Sequence, residues 1–345
     1  MPAYFGLEVS VEELPEKVSK LFTDEAADCG QVYADNTEEL KMGRESEKAL
    51  KAMHKFLEEK GSEDMTMDDV NDLLQKFTEE YNHNLPGKIT EKTAKTADDY
   101  LELAEEARTK AKAEQYIKKA LELEPDNLDA ISASLDMIMD DDPWEYYQKL
   151  SEAVKNGTKL MEKKGFMDEE SIGRFWGILE TRPYMRLLNR YAEFLAEAGM
   201  MTPAARVYEE MIRLSENDNL GVRYSLMHIY ALLDQEESAL ELHKKYDSYE
   251  ETQMLLPLSV LYFKRGDFNK AEDYLKRLCA ANKDAKKFFR AIKRNKLDQY
   301  ADEISDYGYQ PFTIQELIVE LMENSFLFST VPLYMEWAYV KSRNM

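Results

Sequence analysis

Three windows of this chain align on one small residue: Gly199-Met-Met-Thr-Pro-Ala204-Ala-Arg-Val-Tyr208-Glu-Glu-Met211, Leu233-Asp-Gln-Glu-Glu-Ser238-Ala-Leu-Glu-Leu242-His-Lys-Lys245 and Gly266-Asp-Phe-Asn-Lys-Ala271-Glu-Asp-Tyr-Leu275-Lys-Arg-Leu278. In each, the small residue is followed at offsets of four and then three, and the anchors Ala204, Ser238 and Ala271 lie 34 and 33 residues apart. A period of about 34 residues is that of a repeated helix–turn–helix. Gly199 and Gly266 each precede their alanine by five residues, where a positive φ ends the first helix of a pair. Ala204 and Ala271 leave room for the second helix to approach closely. The preceding helices carry Leu188, Tyr191, Ala192 and Leu195, then Val222, Leu226 and Ile229, then Leu255, Leu258 and Tyr262, at helical spacing. The middle window departs from the pattern, with Leu233 where glycine is expected and Lys245 at an apolar position.

An earlier window repeats the offsets with Ala113, Ile117 and Ala120, closed by Pro125 and preceded by Tyr100, Leu101 and Ala104. Together the windows resemble the tetratricopeptide-repeat family over four units. A second block, Gly173-Arg-Phe-Trp-Gly177 with Glu180-Thr-Arg-Pro-Tyr-Met-Arg186 and Asn217-Asp-Asn-Leu-Gly-Val-Arg-Tyr224, is similar to one found in uncharacterised bacterial tetratricopeptide-like proteins. The resemblance implies an all-α, right-handed helical-hairpin solenoid and no activity. It also implies a concave face lined by the first helix of each pair. Carried onto this register, the family's ligand-facing positions are Arg186, Asn189, Arg190 and Glu193, then Arg223, Tyr224, Met227 and Tyr230, then Gln253, Leu256, Val260 and Phe263. Arginines fork onto carboxylates and tyrosines give broad contact with a polar tip, so the implied partner is a protein or peptide, including one with acidic groups. The competing reading is that Arg186, Arg190 and Arg223 pair with acids of neighbouring helices. The lysine–asparagine carboxylate clamp of chaperone-binding relatives is not matched.

Around this block the chain divides into an acidic helical N-terminal region over 1–87, the repeats over 88–300 and a helical cap over 301–345. Ser10 and Glu13 have capping-box spacing, and Val70, Leu73, Leu74, Phe77 and Tyr81 form one stripe. The run from Asn82 to Gly87 reads as a linker. Asp142 and Pro143 start a helix lined by Trp144, Tyr147, Leu150, Val154 and Leu160. Phe175, Trp176 and Tyr184 read as a buried contact between repeats rather than a ligand platform. Thr313 and Glu316 form a further capping box, and the last apolar segment suits a solenoid cap.

Residues 276–296 hold nine Lys or Arg against one acid, Asp284. Lys283, Lys287, Arg290 and Arg294 stand at offsets of four, three and four, on one stripe of a helix whose apolar face is Phe288, Phe289 and Ile292. This polarity predicts docking on the acidic N-terminal region; recruitment of an acidic partner or a nucleic acid is the other outcome. The whole chain has 68 acids against 45 Lys and Arg, a net charge of −23, which argues against general nucleic-acid or anionic-membrane binding.

Chemistry-bearing patterns are sparse. The phosphate loop, the dinucleotide fingerprint, the nucleophile elbow and H-E-x-x-H are missing from the sequence. His54, His83, His228 and His243 are scattered, and Cys29 and Cys279 form neither a knuckle nor a disulfide framework. The sequence therefore assigns no catalytic residue, cofactor or metal. With no signal peptide or membrane span legible, a cytoplasmic setting is expected. The expected function is a non-enzymatic scaffold. The alternative is a helical enzyme or small-ligand sensor with a polar site between the repeats and the N-terminal region.

Overall fold

The computed structural model describes residues 47–53, 56, 59–60, 67–83, 89–139, 142–246, 250–302, 304 and 308–345. The Ser10–Glu13 box, Cys29, His54 and most of the Asn82–Gly87 linker lie outside these, as does the His83 side chain. The described residues are helical, with no strand among them; one isolated bridge joins Arg174 and Ser215. Packing divides them into two compact units, one from the described part of Val32–Phe194 with Arg213–Asn217, the other from Leu195–Ile212 and Asp218–Met345.

The first unit contains a helical stretch at 47–53, then α1 (Met67–His83), α2 (Ala97–Glu105), α3 (Lys110–Leu123), α4 (Leu128–Asp136) and α5 (Pro143–Lys163). Two short 3-10 turns, Phe175–Gly177 and Leu179–Thr181, lead into α6 (Arg182–Glu197, in this unit to Phe194). Polar side chains set the helix starts by taking up first-turn N–H groups. Asp99 N–H donates to Thr96 Oγ1 at 3.1 Å and Thr96 N–H to Asp99 Oδ2 at 3.0 Å, closing a capping box on α2. Asn127 caps α4 and Asp142 caps α5, with Pro143 in its first turn. Helices α2 and α3 pack on each other over Ala97, Leu101, Ile117 and Ala120, and Ala130 of α4 joins the same buried cluster.

The inward stripe of α5 is Tyr146, Leu150, Ala153, Gly157 and Met161. This corrects the expected lining by Trp144, Tyr147, Val154 and Leu160. Trp144 lies in the first turn and is 65% exposed. Gly157 is chosen by contact, since a Cβ there would sit 3.0 Å from the Tyr184 ring. The neighbouring Thr158 Oγ1 shares a 2.8 Å hydrogen bond with Tyr184 OH. Phe175 and Tyr184 are buried, and Trp176 is covered on one face by Arg182.

The second unit contains α7 (Met201–Leu214, to Ile212), α8 (Val222–Leu232), α9 (Glu236–Lys245), α10 (Thr252–Lys264) and α11 (Phe268–Ala281). It continues with α12 (Ala285–Lys293), α13 (Asp298–Ala301), α14 (Ile314–Glu323), α15 (Ser325–Phe328) and α16 (Pro332–Ser342). One helix-ending device recurs. Gly199, Asp234 and Gly266 take φ of 74°, 57° and 76°. In each case the next N–H reaches back five residues: Met200 to Leu195 O at 2.7 Å, Gln235 to Tyr230 O at 2.9 Å and Asp267 to Tyr262 O at 3.0 Å. Five residues beyond each left-handed residue stands a fully buried alanine: Ala204, Ala239 and Ala271. The middle anchor is therefore Ala239, one residue past Ser238, and Asp234 supplies the turn in place of glycine. Lys264 Nζ holds that turn, donating to Ala231 O and Leu232 O at 2.8 and 2.6 Å and lying 3.3 Å from Asp234 Oδ1.

Helix α10 is the centre of this unit. Eleven successive residues, Thr252 to Tyr262, are buried, as expected of a helix apolar on all sides. It packs on α8, α11 and α14, while α16 covers α11 and α12. Close approach of α10 to α11 is visible at the anchor, where Ser259 Oγ donates to Ala271 O at 2.8 Å. The capping box of α14 closes one residue early, with Glu316 Oε2 accepting from Phe312 N–H at 2.7 Å.

Candidate functional site

In the first unit, Arg186 leaves α6 and meets two carboxylates. Its Nε and Nη2 donate to Asp129 Oδ1 and Oδ2 at 2.9 and 2.7 Å, and its Nη1 donates to Glu47 Oε1 at 2.6 Å. The side chain is 13% exposed. Burial opposes the guanidinium charge, but Asp129 and Glu47 more than offset it, so its pKa lies above the ordinary range. Arg182 adds a longer pairing to Glu47 at 3.6 Å. One turn further along α6, Arg190 Nε donates to Tyr146 OH at 3.0 Å and the guanidinium pairs with Asp136. Burial pushes the Asp136 carboxyl up to about 6, against the pull of Arg190. Asn189 donates to Glu193 at 2.6 Å. Beside them runs an aromatic row, exposed at Trp144 and half-buried at Tyr147 and Tyr191, with Trp144 and Tyr147 rings 5.3 Å apart and Tyr147 and Tyr191 6.5 Å apart.

Between the 47–53 stretch and α2, α4 and α5 lies a cleft of about 250 Å³ whose lining includes Glu47, Lys48, Lys51, Asp98, Asp126, Asp129 and Lys164. Much of its charge is internally matched: Lys51 donates to Asp98 at 3.0 Å, and Glu47 and Asp129 face Arg186.

In the second unit, Arg223 forms a comparable node. Its Nη1 lies 3.0 Å from Asp218 Oδ2 and its Nη2 lies 2.9 Å from Glu251 Oε1, to which Tyr224 OH also donates at 3.1 Å. The guanidinium stacks over the Tyr224 ring at 4.1 Å. Asp218 accepts from Val222 N–H at 2.9 Å and Arg223 N–H at 3.1 Å, so the same carboxylate starts α8. Met227 and Tyr230 are buried, and Tyr230 OH donates to Glu209 at 2.8 Å. Gln253, Leu256 and Val260 are buried within α10, and half-buried Phe263 packs on Tyr334 and Trp337 of α16 at 5.5 and 5.3 Å. Arg186, Arg190 and Arg223 are thus each engaged by acids, and the α10 positions are covered by the chain's own helices.

The least expected cluster is buried. His228 on α8 and Glu320 on α14 are both 0% exposed, with Nε2 3.1 Å from Oε1. His228 Nδ1 lies 2.8 Å from Tyr224 O, which fixes the proton on Nδ1. Burial lowers the imidazole pKa to about 4. Burial, then Glu316 and Glu323, hold the Glu320 carboxyl well above the usual carboxylate range. Both shifts favour the neutral forms, a carboxyl O–H donating to Nε2, and Glu320 Oε2 has no hydrogen-bond partner among the described residues. Alongside, Asn282 Nδ2 donates to Thr313 O at 3.0 Å and to Glu316 Oε2 at 3.4 Å. These contacts seat α14 on the helix pairs. In the sequence His228 is one of four scattered histidines, and nothing local singles out Glu320, 92 residues away.

On α12 the apolar face is Ala285, Phe288, Phe289 and Ala291, all buried. Lys283, Arg290 and Arg294 are exposed, and Lys287 lies over the Tyr300 ring at 4.2 Å. Among the described residues, no group of three or more His, Cys, Asp or Glu is placed to hold a metal ion, and no helix is long and apolar enough to cross a membrane. No family model matches the chain, and no curated protein matches it.

Proposed function

We propose that the chain is a helical-hairpin scaffold of the tetratricopeptide kind, in a cytoplasmic setting, that binds a protein or peptide. The observation that carries this reading is the recurrence of one turn at Gly199, Asp234 and Gly266, each five residues ahead of a buried alanine. A sequence that repeats its helix ends and its closest helix contacts is built by stacking pairs, and stacked pairs present an extended face. The contact face proposed is the one bearing Asn189 and Arg190 beside Trp144, Tyr147 and Tyr191, where exposed and half-buried aromatics stand next to an arginine. Aromatic and arginine side chains dominate interface energetics. The test is affinity capture with the full chain from its native extract. The captured protein is then measured against Trp144→Ala and Arg190→Glu. Each substitution should weaken binding at least about tenfold, or ~1.4 kcal/mol; a partner indifferent to both overturns the proposal.

A second reading, a small-ligand sensor, is favoured by the cleft at Glu47, Lys51 and Asp129. A zwitterionic ligand suits its mixed lining. Thermal shift against a panel of amino acids and polyamines, with Lys51→Ala as control, separates the two.

A further inference from the structure

Arg186, Arg190, Arg223, Arg265 and Arg277 each pair with a carboxylate. On α12 itself Lys293 pairs with Glu336 at 2.9 Å, but four cations in and beside the helix stand open. Lys283, Lys286, Arg290 and Arg294 are exposed, and none has an acidic partner among the described residues. Lys286 and Arg290, four residues apart, share one side of α12, and Lys283 and Arg294 flank its two ends. The opposite side is fixed in the core by Phe288 and Phe289, so the stripe cannot turn inward. Asp284, the one acid of the segment, is occupied at its carboxylate by Ile314 N–H at 3.3 Å. Like charges four residues apart on a helix repel, as Lys286 and Arg290 do here.

We propose that this stripe is the docking surface for the chain's own N-terminal segment, residues 1–46. That segment carries eleven acids (Glu8, Glu12, Glu13, Glu16, Asp24, Glu25, Asp28, Asp35, Glu38, Glu39 and Glu45) against four bases (Lys17, Lys20, Lys41 and Arg44). Its charge is opposite to that of the stripe, and tethering gives it an effective concentration that a free acidic partner lacks. Arginine forks suit carboxylates. A nucleic acid would meet the same cations but also the net charge of −23. The inference is independent of the contact face proposed above, which involves none of these residues.

The test is carbodiimide coupling of carboxylates to amines in the full chain, mapped by mass spectrometry. The protein is an equal mixture of light and heavy isotope forms. At low salt, acids within residues 1–46 should couple to Lys283 and Lys286 within single-isotope chains. Yield should fall about tenfold on going to roughly 0.5 M salt, where screening acts over about 3–5 Å. Arg290→Glu with Arg294→Glu retains both lysines and the buried face of α12, so helicity should be unchanged while coupling falls at least about fivefold. Coupling that is missing at low salt, that ignores the charge reversal, or that occurs mainly between isotope forms overturns the proposal. So does retardation of duplex DNA by the unmodified chain that the reversal abolishes.

Discussion

A neutral histidine facing a neutral carboxylic acid, both fully buried, makes stability depend on pH in two opposite senses. An unfolded histidine titrates near 6.5, whereas His228 takes its proton only at about 4. Between those values the unfolded state binds a proton that the folded state does not. Stability therefore falls as pH drops through this window, by about 3 kcal/mol in all. Glu320 acts in reverse. Its folded pKa is raised, so above the ordinary carboxylate range the unfolded chain has released a proton that the folded chain keeps, and stability falls as pH rises. Glu320→Gln retains an N–H donor for His228 Nε2 and has nothing to ionise. Urea midpoints at pH 5, 6.5 and 8 should show the variant losing the decline on the alkaline side while keeping the acid-side slope. An unchanged decline between pH 6.5 and 8 would show that Glu320 does not cause it. Periodicity puts His228 on the first helix of a pair, but no local pattern could point to an acid on α14.

At the scale of the element, the repeat is legible where glycine writes the turn and blurred where it does not. Gly199 and Gly266 fixed the outer two registers because a positive φ costs glycine least. In the middle pair Asp234 adopts that conformation, held by Lys264, and the aligned small residue shifts from Ser238 to Ala239. The slip was concealed because Leu242 stands four residues after Ser238, whereas from Ala239 the fourth residue is His243, and the buried set proves to be Ala239, Leu242 and His243. A pair of substitutions tests the register. Ala239→Leu should overpack a closed contact and cost about 1–3 kcal/mol, whereas half-buried Ser238→Leu should cost under about 1. Equal costs in chemical denaturation would place the contact elsewhere. The same reasoning explains α5: Trp144 and Tyr147 read as core by spacing alone, but the close approach at Gly157 sets the inward face at Tyr146, Leu150, Ala153 and Met161.

For the whole molecule the governing quantity is charge, and its consequences divide between buried forks and open surface. Composition announced an excess of acids, and position in the repeat picked out Arg186, Arg190 and Arg223; neither could say which acids meet them, because Glu47 and Asp129 stand 139 and 57 residues from Arg186. Removing one member of such a fork strands the others. Arg186→Met leaves Glu47 and Asp129 facing each other with little water, and should cost about 3–5 kcal/mol, well beyond an exposed pair such as Lys149–Glu145 at under about 1. Denaturant titration of Arg186→Met and of Lys149→Met measures the contrast, and similar small losses would mean that the fork is effectively solvated. The open surface responds differently. With a net charge of −23, the folded chain repels itself more than the expanded unfolded one does. Raising salt from about 10 to 300 mM shortens the screening length from about 30 Å to below 8 Å. That weakens the long-range repulsion while leaving the buried forks nearly untouched. The melting temperature should therefore rise with sodium chloride in this range, and calorimetry decides it. A falling melting temperature would mean that exposed ion pairs, and not the net charge, dominate the electrostatics of the fold.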